Sequence, residues 1–334
     1  MKKWIVRLGL VPLLLLPLLA SAESPRQLVF SHVVGPDTPK GKMATMFQSI
    51  VEQKLGGRYQ VVVHPNSTLM NDVEVIDAVA AGEVHFAAPS LSKFAGYTSR
   101  LKLFSLPFLF PDMAAVDRFQ QSEAGRGLLT SMQDSNILGL GYLHNGLKQL
   151  TADRPFHEPQ DLAGLRFRIM DSPVLRAQFE QIGAEPVPLA FADVYDALAS
   201  GMIQGQENTW SNIYSKNFQH HQPYLMESNH GVLDYLLITN NAFWQGLPDE
   251  DRRMLSYAMD IALRYGNSVA TAKSRNDHQD LKRMREVTVY RPSEAELDTW
   301  RRAMQPVWAE FEEAIGRHLI DAALAASKPS AGER

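Results

Sequence analysis

The sequence predicts an α/β protein of two domains, with an interdomain ligand cleft and one long domain-spanning helix. Three features carry this reading. Strand and helix periodicities alternate over residues 27–88, the order that gives a parallel sheet with helices on its faces. The alternation restarts over residues 149–230. From Asp249 to about Glu286 the chain reads as helix with Gly266 as its only breaker, and about 1.5 Å per residue makes that longer than one domain is wide. At 334 residues the chain also exceeds one ordinary core, and chains of such length divide.

Gln27 to Val34 is rich in β-branched and apolar residues and predicts a strand. Thr38-Pro39 then supplies an N-cap and a first-turn proline for a helix carrying Met43, Met46, Phe47, Ile50, Val51 and Leu55, ended by Gly56-Gly57. Arg58 to His64 predicts the second strand. Asn71 and Glu74 form a capping pair ahead of Ile76, Val79 and Ala80, and Val84 to Ala88 predicts the third strand. In the second unit, Leu165 to Met170 alternates: Leu165, Phe167 and Ile169 face one way, Arg166, Arg168 and Met170 the other. Ser172-Pro173 starts a helix with Leu175, Phe179 and Ile182, closed by Gly183. Phe191 to Ser200 predicts a helix with Val194, Tyr195 and Leu198 inward, and Met202 to Glu207 a strand. Gly231 to Asn240 is a further strand. Ser293 and Glu296 cap a last long helix holding Trp300, Met304, Val307, Trp308 and Phe311.

The first residues stand apart from the fold. Lys2, Lys3 and Arg7 precede an apolar run from Leu8 to Leu19, and Ala20-Ser21-Ala22 has the small-x-small spacing of a cleavage site. This predicts a secretory signal over residues 1–22, removed after Ala22. The run is too short for a spanning helix and holds Pro12 and Pro17. With no cysteine anywhere, lipid attachment, disulfides, thiol nucleophiles and thiolate metal sites are excluded. Without the three leader cations the net charge falls from −4 to about −7. No basic patch favours nucleic acid, so an anion would have to be held by a local cluster of donors.

Enzyme signatures are missing: there is no Gly-x-Ser-x-Gly, no His-Glu-x-x-His, no phosphate-binding loop and no dinucleotide fingerprint. His220-His221 are sequence neighbours with diverging side chains, so no metal and no cofactor are expected. An exported hydrolase or lyase using Glu207 or Asp193 with His144 is the enzymatic alternative, without an oriented nucleophile and base in the sequence. The more telling residues are cationic and polar. Arg168 presents a planar fork that fits a carboxylate, in a strand whose other face is apolar; a surface arginine paired with an acid would read the same way. His144-Asn145-Gly146-Leu147-Lys148 lies at the expected first crossover between domains, where Asn145 and Lys148 face either the cleft or solvent. Two segments follow strand ends, where open α/β sheets bind ligands. These are Pro89-Ser90-Leu91-Ser92-Lys93-Phe94 and Gln206-Glu207-Asn208-Thr209-Trp210. In the second, Asn208 is a donor and Trp210 a candidate wall.

Several segments, in order along the chain, resemble the binding proteins of tripartite ATP-independent periplasmic (TRAP) transporters of the DctP type. They are Phe30-Ser31-His32-Val33-Val34 with Asp37-Thr38-Pro39-Lys40-Gly41-Lys42; His64-Pro65-Asn66-Ser67; Ala88 to Phe94; Leu106-Pro107-Phe108; Asn145 to Lys148; Leu162 to Arg168; Val194 to Leu198; Gly205 to Asn208; and Ser228-Asn229-His230-Gly231. The resemblance implies a two-domain periplasmic binding protein fold that captures C4-dicarboxylates such as succinate, malate and fumarate; another organic acid, a sugar acid or keto acid, is the alternative ligand. It implies that Arg168 makes a salt bridge to a ligand carboxylate, with Asn208 beside it, and that Lys148, Ser90, Ser92 and Lys93 hold the far end. Phe191 would wall the pocket, and His32 and Asn145 belong to the same matched segments. Relatives usually carry Pro after Gln-Glu-Asn, where this chain has Thr209-Trp210. Implied partners are the membrane permease subunits and, as an added role, a membrane sensor kinase. The expected division is residues 23–147 with 234–273 for one domain, 148–233 with 274–326 for the other, and a flexible tail at 327–334.

Overall fold

The computed structural model describes residues 24–328. The expected leader and the tail beyond Lys328 lie outside the described residues. Among the described residues there are nine strands: β1 (Arg26–Ser31), β2 (Tyr59–His64), β3 (Phe86–Ala87), β4 (Ile137–Ala152), β5 (Arg166–Ile169), β6 (Glu185–Pro188), β7 (Gly205–Asn208), β8 (Tyr224–Asn240) and β9 (Thr288–Tyr290). The helices between them are α1 (Pro39–Leu55), α2 (Glu74–Ala81), α3 (Met113–Gln121), α4 (Glu123–Leu128), α5 (Pro173–Gln181), α6 (Val194–Ala199), α7 (Trp210–Ser215), α8 (Asn241–Gln245), α9 (Asp249–Arg283), α10 (Glu294–Met304), α11 (Val307–Ile315) and α12 (Arg317–Ala326).

All nine strands join one sheet in the order β2-β1-β3-β8-β4-β7-β5-β6, with β9 against β8. β1 lies parallel to β2 and β3 in the first lobe; β5 lies parallel to β6 and β7 in the second. The lobes are fused by β4 and β8, antiparallel from Ile137↔Asn240 to Ala152↔Tyr224. Their register shifts between Gly139 and Gly141, His144 and Gly146, and Lys148 and Leu150. An extra residue at a shift turns the strand and resets its alternation, which lets one pair of strands serve two lobes.

The expected crossover segment His144–Lys148 is therefore strand. Gly146 stands at φ +131°, a backbone that side chains resist, and three bulges in sixteen residues erase the period-2 pattern that would have announced β4. For the same reason β8 begins at Tyr224 rather than Gly231. The long helix α9 spans Asp249–Arg283, with Asp249, Glu250 and Asp251 in its first turn and Lys282 and Arg283 in its last, matching the helix dipole. It packs on α1 and β4. The expected last long helix is two, α10 and α11, because Pro306 cannot continue the hydrogen-bond ladder. The Ser293–Glu296 capping box is formed. The expected helix from Phe191 starts as a 3-10 turn, and only Val194, Ala197 and Leu198 of α6 are buried; Tyr195 points outward against His221. The expected strand start at Met202 is exposed, and β7 opens at Gly205.

Behind β5 the core is tight. Phe167 stacks on Phe179 at 4.4 Å between centroids, and a Cβ on Gly205 would meet the Phe167 ring at 2.3 Å. Gly205→Ala is expected to lower stability by about 1–3 kcal/mol in urea denaturation, because the buried ring has no room to retreat. It should also weaken any ligand held by Arg168, the next residue on β5. An unchanged urea midpoint would show that the ring yields freely.

Candidate functional site

Between the lobes lies a cavity lined by Val33, Val34, Asp72, Ser90, Lys93, Arg168, Met170, Phe191, Asn208, Asn212, Leu233 and Tyr235. It is tight, with about 20 Å³ of room for water. A wider mouth of about 410 Å³ adjoins it and shares Val33, Asp72, Lys93 and Phe191. Ser92 Oγ touches Met170 Sδ at 3.5 Å, closing one side of the cleft.

Arg168 is the centre of the second lobe's wall. It is 2% exposed. Its Nε and Nη2 donate to the Leu189 carbonyl at 3.2 and 2.8 Å, which leaves the outer N–H pair, on Nη1 and Nη2, without a protein acceptor. No carboxylate lies within ion-pairing distance of it among the described residues. Burial lowers its pKa to about 10, against the more distant pull of Glu207 and Asp72. Asn208, at the end of β7, is fixed by its own carbonyl: Oδ1 accepts from Asn212 Nδ2 at 2.7 Å and from the Thr209 N–H at 3.2 Å.

The first lobe contributes Ser90, whose hydroxyl lies 3.2 Å from that of Ser92, and Lys93 on the short turn Leu91–Phe94. Burial depresses the Lys93 pKa; Asp72 and Asp171 oppose that and Arg168 adds to it. Tyr235 of β8 lies against Ser90 across an isolated bridge and accepts from Asn145 Nδ2 at 3.0 Å. Asn145 in turn accepts from Ser211 at 2.8 Å. Asn145 thus positions a wall residue instead of lining the cavity itself.

Three other expected site residues fall elsewhere. Lys148 does not line the cavity: its ammonium meets Glu207 Oε1 at 2.6 Å, with both groups buried. Glu207 Oε2 meets His230 Nε2 at 2.8 Å. Burial opposes the Glu207 charge, but Lys148 and His230 outweigh it and hold the carboxyl at about 2. Trp210 stacks on His278 of α9 at 4.3 Å and faces a separate cavity of about 340 Å³ on the crossover side. A helix start turns it there: Thr209 caps α7, so the chain coils away from the ligand side immediately after Asn208. His32 is buried with neither ring nitrogen bonded; burial first, then Lys40, lowers its pKa to about 3.

Four residues were missed in the sequence. Asp72 sits inside the stretch read as a capping pair, where Asn71 Oδ1 accepts from Val73 and Glu74 N–H and Glu74 closes the box. Asn212 and Tyr235 carry no local signal beyond their elements. Lys40 does carry one: it occupies the first turn of α1, whose partial positive charge disfavours a cation. It is buried, its Nζ has no hydrogen-bond acceptor among the described residues, and it lies 3.5 Å from the Tyr235 ring centroid.

At the crossover, His144 bridges Asp234 at 2.7 Å and Asp117 at 2.8 Å. Burial opposes its charge, yet the two carboxylates raise its pKa to about 10. Asp234 also accepts from Gln120 and from the Asn145 N–H. The histidine is committed to tying α3, β4 and β8 together, which removes it from any pairing with Glu207.

The model of the bacterial extracellular solute-binding proteins, family 7 (DctP), matches residues 30–314. A C4-dicarboxylate-binding periplasmic protein DctP of Shewanella loihica is 50% identical over 98% of this chain and 97% of its own. A crystal structure of a TRAP periplasmic solute-binding protein from Shewanella oneidensis with bound succinate superposes with TM-score 0.90 at 49% identity, covering 91% of this chain and 100% of that one. Another, from Pseudomonas aeruginosa with bound L-malate, gives 0.83 at 44% identity over 86% of this chain and 100% of that one.

Two expectations follow from the charges. Lys148→Met should cost about 3–5 kcal/mol in urea unfolding, because it strands Glu207 in the interior; adding Glu207→Gln should recover part of the loss. A single variant of full stability with only weaker ligand binding would return Lys148 to the ligand. For Lys40, burial first, with Lys93 adding and Asp72 resisting, lowers the pKa from 10.5 to about 8. The unfolded chain therefore holds that proton over a pH range where the folded chain has lost it, so stability rises between about pH 8 and 10. The gain approaches about 3 kcal/mol, with Lys93 contributing in the same direction. Urea midpoints at pH 7.5 and 9.5 should differ in the unmutated protein and differ clearly less in Lys40→Met, where the Lys93 contribution remains.

Proposed function

Since the chain belongs to the bacterial extracellular solute-binding proteins of family 7, we propose that it captures C4-dicarboxylates in this cleft as the substrate-binding subunit of a TRAP transporter. The observation that carries the reading is Arg168: a buried guanidinium in an interlobe cavity whose outer N–H pair has no protein acceptor. A carboxylate fits that pair with two parallel charge-assisted bonds, each contributing about 1.5–3 kcal/mol net.

Arg168, Asn208 and Asn212 hold one carboxylate from the second lobe. Ser90 and Lys93 meet the far end from the first, and Tyr235 and Phe191 form the walls. Both sets of bonds exist only when the lobes meet, so the ligand favours closure. The division expected from the sequence has exchanges near 147/148 and 233/234, in the bulged stretch of β4 and β8, and a third near 273/274 within α9. The wider mouth is the entry path. No bond of the ligand is broken at any point. In this reading residues 1–22 direct export to the periplasm, the leader is removed, and a membrane permease receives the loaded protein.

Isothermal titration of protein unfolded, stripped and refolded should give heat with succinate, malate or fumarate. Silence with all three would end the reading. Arg168→Ala should weaken binding about a hundredfold or more. Arg168→Lys should do nearly as badly, since a point charge replaces a fork; normal binding by the lysine variant would refute the two-bond contact.

A further inference from the structure

We propose that Lys40 sets the charge of the ligand the cleft accepts, making the site a receptor for dianions and a poor one for monoanions. The inference rests on the dicarboxylate reading and deepens it.

The charge inventory leads to it. Lys93 and Arg168 line the cavity as cations and Asp72 as an anion, which leaves a single positive charge; Asp171, which also acts on Lys93, stands exposed at the wider mouth, where water screens it. Lys148 adds none, because Glu207 neutralises it at 2.6 Å. His230 is bonded to the same carboxylate, and burial pushes its pKa down. His32, beside Lys40, is held neutral by burial. A cavity of these groups alone balances a monocarboxylate. Lys40 supplies the second positive charge. Its ammonium sits on the face of Tyr235, which lines the cavity, and within electrostatic reach of Asp72 and Lys93.

Nothing in the fold accounts for a lysine there. A cation in the first turn of a helix opposes the dipole. An ammonium out of water without an acceptor is costly, and contact with an aromatic face returns only part of that. Methionine would fill the same space without either penalty. A residue that breaks local rules in the interior, beside a cleft, is placed for a ligand. Because the ammonium lies on the Tyr235 ring and outside the cavity's lining, it acts by charge on whatever occupies the cavity, and discriminates ligands by valence more than by shape.

The test compares succinate with its monomethyl ester, the same carbon chain with one charge removed, by titration at pH 7 on refolded protein. The unmutated protein should prefer succinate strongly. Lys40→Met should weaken succinate about tenfold or more while changing the ester about threefold or less, so that the preference shrinks. Lys40→Gln, which keeps a polar end, serves should the methionine variant not fold, with the same expected outcome. A preference left unchanged by either variant, or an equal loss for both ligands, overturns the inference while leaving the dicarboxylate reading intact. Unmutated protein that binds neither ligand overturns that reading and this inference with it.

Discussion

A guanidinium held out of water with only a carbonyl for company is the constraint on which the cleft depends. A buried charge without a counter-ion costs several kcal/mol, and the rest of the second lobe is arranged to keep Arg168 in that state. β5 is clamped between β6 and β7, the Phe167–Phe179 stack fixes the strand from behind, and Leu189 occupies one edge of the fork. The carboxylate that pulls on it most, Glu207, has both oxygens taken: Oε1 by Lys148 and Oε2 by His230. That trio is a means of keeping a carboxylate away from Arg168 as much as it is a stabilising contact. Buried ion pairs contribute little net stability, so its value lies in where it leaves the uncompensated charge.

The two-lobed architecture adds a mechanical condition. β4 and β8 belong to both lobes, so any relative motion of the lobes passes through them. The bulges concentrate the irregularity at residues 139–150, and the chain secures one side of it with Asp117, His144 and Asp234. Asn145, in the same stretch, bonds Tyr235 in the cavity wall and Ser211 in α7. The residues that shape the crossover are one bond away from those that face the ligand.

Much of the fold could be read from the chain because its elements announce themselves locally: Thr38-Pro39, the Ser172 and Ser293 caps, the unbroken helix from Asp249. β4 could not, since Gly139, Gly141 and Gly146 lower strand propensity and its bulges destroy alternation. The site followed the same rule. Arg168 was visible as a cation in a strand whose other face is apolar, and Ser90, Lys93 and Asn208 as polar residues at strand ends. Trp210 was misplaced because the turn of α7 away from the cleft is a tertiary outcome. Lys148 looked like a ligand contact because its counter-ion, Glu207, is distant in sequence and adjacent only across β4 and β7. Lys40 has a sequence signal, a cation at the wrong end of a helix, but it sits within the Thr38-Pro39 capping motif, which accounts for the helix start without it.

The distribution of cations between lobes bears on how binding and closure are linked. Lys40 and Lys93 belong to the first lobe and Arg168 to the second, and Arg168 lowers the Lys93 pKa by its charge. Bringing the lobes together sets like charges against each other across a space of low polarity, where repulsion is strong. Asp72 offsets only part of it. In the capture reading, then, the empty cleft resists closure for the same reason that a filled one favours it: a dianion converts repulsion across the cleft into two attractions. A ligand shifts a two-state equilibrium only by its differential affinity for the two states, and here that difference is electrostatic. A neutral molecule of succinate's shape would fill the cavity and leave the repulsion in place, so it would bind the open form at best. Ligand valence, set by how many cations the lobes present to each other, is therefore the quantity that closure reports.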